Sequence, residues 1–288
     1  GGGIKMSEEG DEREIQASEL EIVKKIGEGT TAVVFLGKLR GVVVAVKEIG
    51  ALSEETDVGT IQAVQRELRV LTNVSHPNIV RFVGLVTETL PLRLVLEYCA
   101  GGSLFELLHN NWQVELSCEQ RLKMLLDTTL AEEYLHCFDP PIIHRDLKSL
   151  NLMLLEPIQD NKTVPHVKLA DFGFARLEER YMTQGVGTKH WMAPEVQKGT
   201  KYTTKADVFS FAMVAFEVSF RHVPFESLDA TEVARRIIAG ERPKMDDPNL
   251  DEVPPEGVPE IIEECWAQDP EARPSFEEVK AKVEKLYL

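Results

Sequence analysis

Two short stretches carry the polar side chains that are best suited to catalysis, IIHRDLKSLNLML at 142–154 and ADFG at 170–173. They bring a carboxylate, a cation, a carboxamide and a second carboxylate into one span, as Asp146, Lys148, Asn151 and Asp171. This set matches phosphoryl transfer, in which a carboxylate receives the proton of the attacking hydroxyl, a cation offsets phosphate charge and oxygen ligands hold Mg²⁺. HRD or DFG alone would also fit a solvated turn, but the two together at this spacing indicate the chemistry.

Such chemistry depends on positioning and on neutralising charge, so the polar groups should lie on loops that rigid elements hold in place. The apolar runs at 152–155 and 167–170 predict two short strands with the polar groups at their edges. Between them, the turn-rich segment 155–166 (LEPIQDNKTVPH) is long for a tight connection, and it predicts an extended surface hairpin.

At these positions the chain resembles the eukaryotic protein kinases, and the resemblance extends upstream. The segment IGEGTTAVVFLG at 26–37 is similar to the family's G-x-G-x-x-G-x-V loop, with Ala32 at the third glycine position. A G-x-G pattern also occurs in hairpin turns and dinucleotide sites, but the strand-like sequence that follows favours a β-hairpin over a nucleotide. The resemblance implies that this loop binds ATP through Ile26, Gly27, Glu28, Gly29 and Val34.

A lysine and a glutamate further along the chain match the family's conserved ion pair. The run VAVK at 44–47 resembles the strand whose lysine, here Lys47, reaches the α- and β-phosphates. Helical periodicity at 64–71 puts Glu67 beside an apolar stripe, and the resemblance implies that Glu67 pairs with Lys47. Taken alone, Lys47 also fits a solvated edge charge, and Glu67 also fits a surface charge beside neighbouring arginines.

The segment LRLVLEY at 92–98 is an alternating strand, and CAGGSL follows it. In kinases this segment connects the lobes and its backbone groups bind adenine. By position, Leu96 guards the back of the pocket, and Glu97 and Cys99 supply backbone contacts. The resemblance further implies that three apolar side chains enclose the adenine ring: Val34, Ala45 and Met153. Core packing would also explain these side chains, and both interpretations can hold at once because a nucleotide base completes an apolar stack.

The C-terminal half contains further matches. WMAPE at 191–195 is similar to the family's A-P-E segment, and Arg273 matches the arginine that forms a buried ion pair with its glutamate, here Glu195. KADVFSF at 205–211 resembles the start of the central helix, where Asp207 would hold the backbone of the catalytic loop. These roles are structural.

The chain is therefore expected to have an α+β, bilobal protein kinase fold, with a small β-rich N-lobe containing one key helix and a larger, mainly helical C-lobe. Strands are predicted between Leu20 and Tyr98, and helices near 117–136, 204–219, 230–239, 259–266 and 276–286. Residues 1–16 are interpreted as a tag remnant and a flexible acidic leader. The kinase domain is assigned to 17–288, with the N-lobe at about 17–97, the hinge at about 97–102 and the C-lobe at about 103–288.

Composition agrees with this interpretation. The chain has 288 residues, 43% of them hydrophobic, which is enough for one large or two apposed domains. It contains no apolar run of membrane-spanning length, and its four cysteines lack metal-ligand spacing, so we predict a cytoplasmic location. The net charge of -16 disfavours nucleic acid and anionic membranes. The negative charge would suit basic substrate segments, but an acidic surface that keeps the protein soluble is the simpler explanation.

The resemblance implies a serine/threonine protein kinase, because Lys148 and Thr188 match positions typical of that class. HRDLKSLN with GTKHWMAPE looks most like the tyrosine-kinase-like group. ATP and Mg²⁺ are the implied cofactors, with Asp146, Lys148 and Lys47 catalytic and Asn151 and Asp171 holding the metal. The implied partners are protein substrates with Ser/Thr acceptors and either an upstream kinase or a second copy acting in trans. A pseudokinase scaffold is the alternative, and the intact APE segment disfavours a small-molecule kinase.

The segment between Asp171 and Glu195 is the expected site of control, because a phosphate there adds nearly two negative charges and can order it against an arginine such as Arg145. We favour Thr183 as the phosphosite and interpret Thr188 as structural. Thr183→Ala should therefore lower activity, as measured by peptide phosphorylation. A Thr183→Ala variant with full activity would remove the support for this site.

Overall fold

The computed structural model describes residues 13–28, 32–49, 68, 70–172, 176–177, 188–250 and 252–288, with the side chains of 176, 177 and 188 left out. The chain divides into two compact units. One comprises Gly1–Gln62 and Arg81–Tyr98, and the other comprises Ala63–Val80 and Cys99–Leu288.

The first unit is built on a five-stranded antiparallel sheet with the strand order β1-β2-β3-β5-β4. Its strands are β1 (Leu20–Glu28), β2 (Ala32–Leu39), β3 (Val42–Ile49), β4 (Phe82–Val86) and β5 (Arg93–Glu97). These segments are rich in β-branched residues that alternate between the two faces, as a sheet with one buried face requires. A 3₁₀ turn at Ala17–Glu19 precedes β1.

One face of this sheet forms the core of the first unit. Val44, Val46, Val86 and Val95 are at most 3% exposed, and Ile15 packs with them. Alternate residues of a strand point to opposite faces. Ala45 and Lys47, which directly follow Val44 and Val46 in β3, must therefore point to the other face. The core thus fixes which face of the sheet can receive a ligand.

The second unit is mainly helical. Its α-helices are α1 (Cys118–His136), α2 (Pro194–Gln197), α3 (Lys205–Phe220), α4 (Ala230–Ala239), α5 (Val258–Cys265) and α6 (Phe276–Tyr287). Residues 70–73 are also helical, Glu106–Asn110 form a π-helical turn, and 3₁₀ turns lie at Ser149–Asn151, Thr188–His190 and Pro270–Ala272. Every residue of α3 from 206 to 220 is buried, which explains why this helix is apolar on all sides.

Four short strands make two small sheets in this unit. β6 (Ile142–Ile143) pairs with β9 (Arg176–Leu177), and β7 (Leu152–Leu154) pairs with β8 (Val167–Leu169), both antiparallel. The two strands predicted at 152–155 and 167–170 are therefore present, each ending one residue earlier than expected. The predicted strands of the first unit and the five predicted helices are likewise present, with ends that differ by a residue or two.

Residues 155–166 do not continue β7 and β8, so the prediction of an extended hairpin is wrong. One more backbone hydrogen bond forms, from Leu155 N to His166 O at 3.0 Å. Beyond it the chain turns back, Ile158 becomes buried, and the Gln120 amide donates to the carbonyls of Asp160 and Thr163 at 2.8 and 2.7 Å. The loop is held in this way because a polar side chain of α1 supplies the hydrogen bonds that a ladder would otherwise provide.

Gln120 also caps α1. The Ser117 hydroxyl accepts from Gln120 N at 3.1 Å, and the Gln120 side-chain oxygen accepts from Ser117 N at 3.0 Å, which is a capping box. A second capping box, formed by Ser275 and Glu278, starts α6. One side chain therefore fixes both the start of α1 and the loop between β7 and β8.

Arg221 ends α3 in the left-handed conformation, with φ at 53°. Its buried guanidinium donates to four backbone carbonyls, those of Leu107, Leu108, Asn111 and Val114. Burial lowers the pKa of Arg221 from its usual value. The π-helical turn and the loop after it are therefore held to the end of the central helix.

The expected α+β class with a β-rich and a helical part is confirmed. Among the described residues, no helix is both long and apolar enough to cross a membrane.

The predicted ion pair between Glu195 and Arg273 is present and buried. The guanidinium nitrogens Nη1 and Nη2 lie 2.7 and 2.9 Å from the two carboxylate oxygens, and Arg273 is 1% exposed. Arg273 also donates to the carbonyls of Ala267 and Lys205 at 2.8 and 2.9 Å. The pair joins α2 to the segment before α6.

Glu195→Ala or Arg273→Ala should lower the free energy of unfolding by about 3–5 kcal/mol, because each leaves an uncompensated buried charge. Urea denaturation of both variants measures this loss. Arg235→Ala is the control, because Arg235 forms an exposed ion pair with Glu232, and its midpoint should stay near that of the parent. Equal midpoints for all variants would contradict a stabilising role for the buried pair.

Candidate active site

Asp146 and its two polar neighbours form a compact group after β6. The Asp146 carboxylate is 4% exposed, and its Oδ2 accepts from Lys148 Nζ at 2.7 Å and from Asn151 Nδ2 at 2.9 Å. Asn151 Nδ2 also donates to the Asp146 carbonyl at 2.8 Å. The 3₁₀ turn Ser149–Asn151 makes this possible, because it folds the chain back so that residue 151 reaches residue 146.

The other Asp146 oxygen is different. Oδ1 is buried and accepts no hydrogen bond from the residues that the structure describes. A buried carboxylate oxygen without a donor is costly, so such an atom is expected to have a partner in the working protein. A hydroxyl group is a suitable donor, because Oδ1 can accept its proton.

The side chain of Asn151 fits a metal ligand. Both of its N–H donors point to Asp146, which leaves the amide oxygen as the group available to a cation. Asp171, the second predicted ligand, is exposed and has φ at 63°. Oxygen donors of these two types are those that Mg²⁺ prefers.

Asp207 holds the backbone that carries Asp146. Its Oδ2 accepts from His144 N and its Oδ1 from Arg145 N, both at 2.8 Å, and His136 Nε2 lies 3.0 Å from Oδ2. Arg145 has φ at 70°, a conformation that a non-glycine residue adopts at a cost. The two charge-assisted hydrogen bonds offset that cost, so Asp207 fixes the direction in which the chain enters Asp146.

The pKa of Asp207 reflects this role. Complete burial acts to raise it, but the hydrogen bond from His136, the nearby histidines and the backbone N–H of Arg145 outweigh burial and hold the pKa below its usual value. Asp207 therefore stays charged, which strengthens its hold on the loop.

Hydrogen bonds also join the loop to the segment that leads to Asp171. Ala170 N donates to Asn151 O at 2.8 Å, and His144 Nε2 lies 3.1 Å from Ala170 O. The ring of His144 contacts that of buried Phe172, with centroids 5.4 Å apart. Asp146, Asn151 and Asp171 thus belong to one hydrogen-bonded region of the second unit.

The first unit brings together several of the predicted nucleotide-binding residues on the sheet face opposite its core. Lys47 lies opposite Val34 in β2 and Leu94 in β5, and Ala45 lies opposite Leu36 and Leu96. Directly opposed residues share a face, so Val34, Ala45, Lys47 and Leu96 lie on one surface. All four are half-buried, whereas Leu94 on the same face is fully buried.

The remaining predicted residues are more scattered. Gly27 pairs with Val34, Ile26 is 41% exposed, and Glu28 ends β1 and pairs with Lys25. Glu97 ends β5, Cys99 is buried, and Met153 lies in β7 opposite Lys168. Gly29, Glu67 and Thr183 lie outside the described residues, as does the Thr188 side chain.

Sequence reasoning missed Glu217. This fully buried carboxylate accepts from Ser149 Oγ at 2.7 Å, lies 2.9 Å from His109 Nε2 and accepts from the indole N–H of Trp191. It therefore joins the π-helical turn, the loop between Lys148 and Asn151, and the WMAPE segment. A glutamate within the mainly apolar α3 was the sequence signal that could have revealed it.

These features, a sheet-based first unit, a helical second unit and a loop clamped by Asp207, are those of the protein kinases. A family model described as the protein kinase domain matches residues 20–283. The chain therefore belongs to the protein kinase domain family, and the resemblance inferred from its motifs is confirmed.

Curated relatives agree. The chain is 35% identical over 280 residues to the probable serine/threonine-protein kinase drkC of Dictyostelium discoideum, covering 94% of this chain and 35% of that protein. It is 34% identical over 274 residues to mitogen-activated protein kinase kinase kinase 7 of Drosophila melanogaster, covering 94% of this chain and 38% of that protein. It is also 35% identical to the dual specificity protein kinase pyk3 of Dictyostelium discoideum, covering 95% of this chain and 19% of that protein. The chain spans less than two fifths of the length of each of these relatives.

Asp207→Ala should reduce the free energy of unfolding by about 1.5–3 kcal/mol for each charge-assisted hydrogen bond lost. The pKa of Asp207 is lowered on folding, so its ionised carboxylate contributes to the free energy of unfolding. This contribution is complete above the unfolded pKa near 3.8 and is lost as pH falls through the lower pKa of the folded state. Denaturation of parent and variant across pH should show a constant gap at neutral pH that closes in acid. Asp246→Asn, at an exposed position, is the control, and a gap that does not change with pH would contradict the charge-based account.

Proposed function

We propose that this chain is a catalytic domain that transfers the γ-phosphoryl group of ATP to serine or threonine hydroxyls of proteins. The observation that carries the proposal is the state of Asp146. One oxygen of this buried carboxylate is held by Lys148 and Asn151, and the other accepts no hydrogen bond from the described residues. This is the arrangement required of a carboxylate that takes the proton of a substrate hydroxyl.

The roles of the residues follow from their positions. Asp146 Oδ1 accepts the hydrogen bond of the substrate hydroxyl and then its proton. Lys148 Nζ, 2.7 Å from Oδ2, keeps a positive charge beside the reacting hydroxyl and offsets charge on the transferred group. Asn151 fixes Asp146 through its two N–H donors, one to the carboxylate oxygen Oδ2 and one to the backbone carbonyl. Asp207 acts only through the backbone, as a positioning residue.

The proposed cofactors are ATP and Mg²⁺, which supply the phosphoryl group and offset its negative charge when bound. The Asn151 amide oxygen and the Asp171 carboxylate would hold the metal. Lys47, on the ligand face of the sheet, would bind phosphate oxygens. The other residues proposed to contact the nucleotide are Ile26, Gly27, Glu28, Gly29, Val34, Ala45, Glu67, Leu96, Glu97, Cys99 and Met153.

Serine/threonine chemistry is supported by Lys148 at its observed position beside Asp146, and by the relatives named as serine/threonine kinases. The likeness to a dual specificity kinase keeps tyrosine as an acceptor to be tested. We further propose a cytoplasmic protein with protein substrates, phosphorylated in the loop before Glu195 by an upstream kinase or by a second copy. We also propose that the kinase domain comprises residues 17–288, with the hinge at about 97–102.

The decisive experiment compares the parent with Asp146→Asn. Both are incubated with Mg²⁺ and labelled ATP, alone and with a peptide library, and the phosphorylated amino acids are identified by mass spectrometry. Removing a general base lowers rates by about 10²–10⁴-fold, so the variant should show almost no transfer. Phosphoserine and phosphothreonine should dominate in the parent.

Asp246→Asn, an exposed and distant carboxylate, is the matched control and should retain the parent rate. Equal, background-level signals from the parent and Asp146→Asn would favour a pseudokinase scaffold that binds nucleotide without turnover. A predominance of phosphotyrosine would contradict the serine/threonine assignment while leaving the kinase assignment intact.

A further inference from the structure

Behind the catalytic loop, three side chains with metal-binding atoms meet. Glu132 and His136 lie one turn apart on α1, and Asp207 extends from α3. Glu132 and Asp207 are fully buried, and the His136 side chain is 12% exposed. We refer to these three residues as the buried triad.

Glu132 is the unusual member. Neither of its carboxylate oxygens accepts a hydrogen bond from the described residues, although both are buried. His136 Nε2, at 3.6 Å from Oε2, is the nearest group that can carry a positive charge to it among the described residues. Burial, together with the charge of Asp207, raises the pKa of Glu132 well above its usual value. A buried carboxylate needs a hydrogen-bonding or charged partner, and the described residues supply no hydrogen bond to this one.

The spacing of the three ligand atoms fits a small tetrahedral cation. His136 Nε2 lies 3.0 Å from Asp207 Oδ2 and 3.6 Å from Glu132 Oε2, and one atom from each residue falls within 4.8 Å of the others. Bond lengths of about 2.0–2.1 Å to Zn²⁺ in tetrahedral geometry separate neighbouring ligands by about 3.3 Å. These two distances lie on either side of that value, and the ligand atoms of Glu132 and Asp207 lie within 4.8 Å of each other.

The ligand types select among divalent ions. One imidazole and two carboxylates suit Zn²⁺ and its neighbours, and three protein ligands leave one position for water. Mg²⁺ is a poor match, because it prefers six oxygen ligands in octahedral geometry. The His136 side chain, 12% exposed, is the member of the triad that solvent reaches.

We propose that Glu132, His136 and Asp207 form a binding site for one divalent transition-metal ion, with Zn²⁺ as the best match. The site is separate from the proposed Mg²⁺ ligands Asn151 and Asp171. It does not depend on the proposed kinase activity, because the geometry of the triad alone defines it.

The proposed site has a direct connection to the catalytic loop. The Asp207 oxygen nearest His136 is also the one that accepts the hydrogen bond from His144 N at 2.8 Å. A cation on that oxygen draws away part of the negative charge that holds this N–H. Bound Zn²⁺ should therefore loosen the loop and lower activity where activity is present.

The test is titration of the purified chain with ZnCl₂ in excess Mg²⁺, using a chromophoric chelator as competitor. The variants are Glu132→Met and Glu132→Gln, with Glu133→Gln as the matched control, because Glu133 is the next residue and pairs with Lys280 outside the triad. The parent and the control should bind one Zn²⁺ per chain. Both Glu132 variants should bind it at least about tenfold more weakly, as expected on loss of a ligand.

Two further readouts separate binding at the triad from binding elsewhere. Co²⁺ in place of Zn²⁺ should give the visible absorption of a tetrahedral site in the parent and not in Glu132→Met. Affinity should rise with pH in the parent, because the metal displaces the Glu132 proton, and this slope should be smaller in Glu132→Met.

Glu132→Met should fold at least as stably as the parent, because it replaces a buried carboxylate with an apolar side chain, and its Tm should confirm this. Zn²⁺ should raise the Tm of the parent and of Glu133→Gln and leave that of Glu132→Met unchanged. Equal Zn²⁺ affinity and equal Tm shifts in the parent and Glu132→Met would overturn the proposal. So would the absence of stoichiometric binding in the parent, which would mean that a proton alone neutralises Glu132.

Discussion

The arrangement of the candidate site depends on one buried negative charge, the carboxylate of Asp207. Its two hydrogen bonds hold the N–H groups of His144 and Arg145 and stabilise the left-handed conformation of Arg145. This conformation determines how the chain arrives at Asp146, and the 3₁₀ turn that follows returns Asn151 to it. The apolar α3 is what makes such a charge effective, because water does not reach it to screen the interaction.

A second buried carboxylate on the same helix has a parallel role. Glu217 lies ten residues after Asp207 on α3 and receives side chains from the π-helical turn, the catalytic loop and the WMAPE segment. The central helix thus organises the second unit through two acids as well as through apolar packing. Arg221 at its end adds a buried cation that donates to four backbone carbonyls.

The sequence predicted the fold class, the strands β7 and β8 and the long helices, because these follow from apolar periodicity. It also predicted the contact of Asp207 with the catalytic loop and the pair of Glu195 with Arg273, through resemblance. It did not predict Glu132 or Glu217, because the partners of a buried acid come from distant segments that no local pattern connects. The path of 155–166 was missed for the same reason, since it depends on the Gln120 amide, a single side chain on another element.

That amide has a consequence for how the chain tolerates change. The loop tip at Asn161 and Lys162 is exposed. Because Gln120 holds the loop at Asp160 and Thr163, a change at the tip should not displace the strands β7 and β8. Added length or an attached label at the tip would be absorbed beyond the anchor points. The tip is therefore a suitable place to attach a fluorophore or a surface tether.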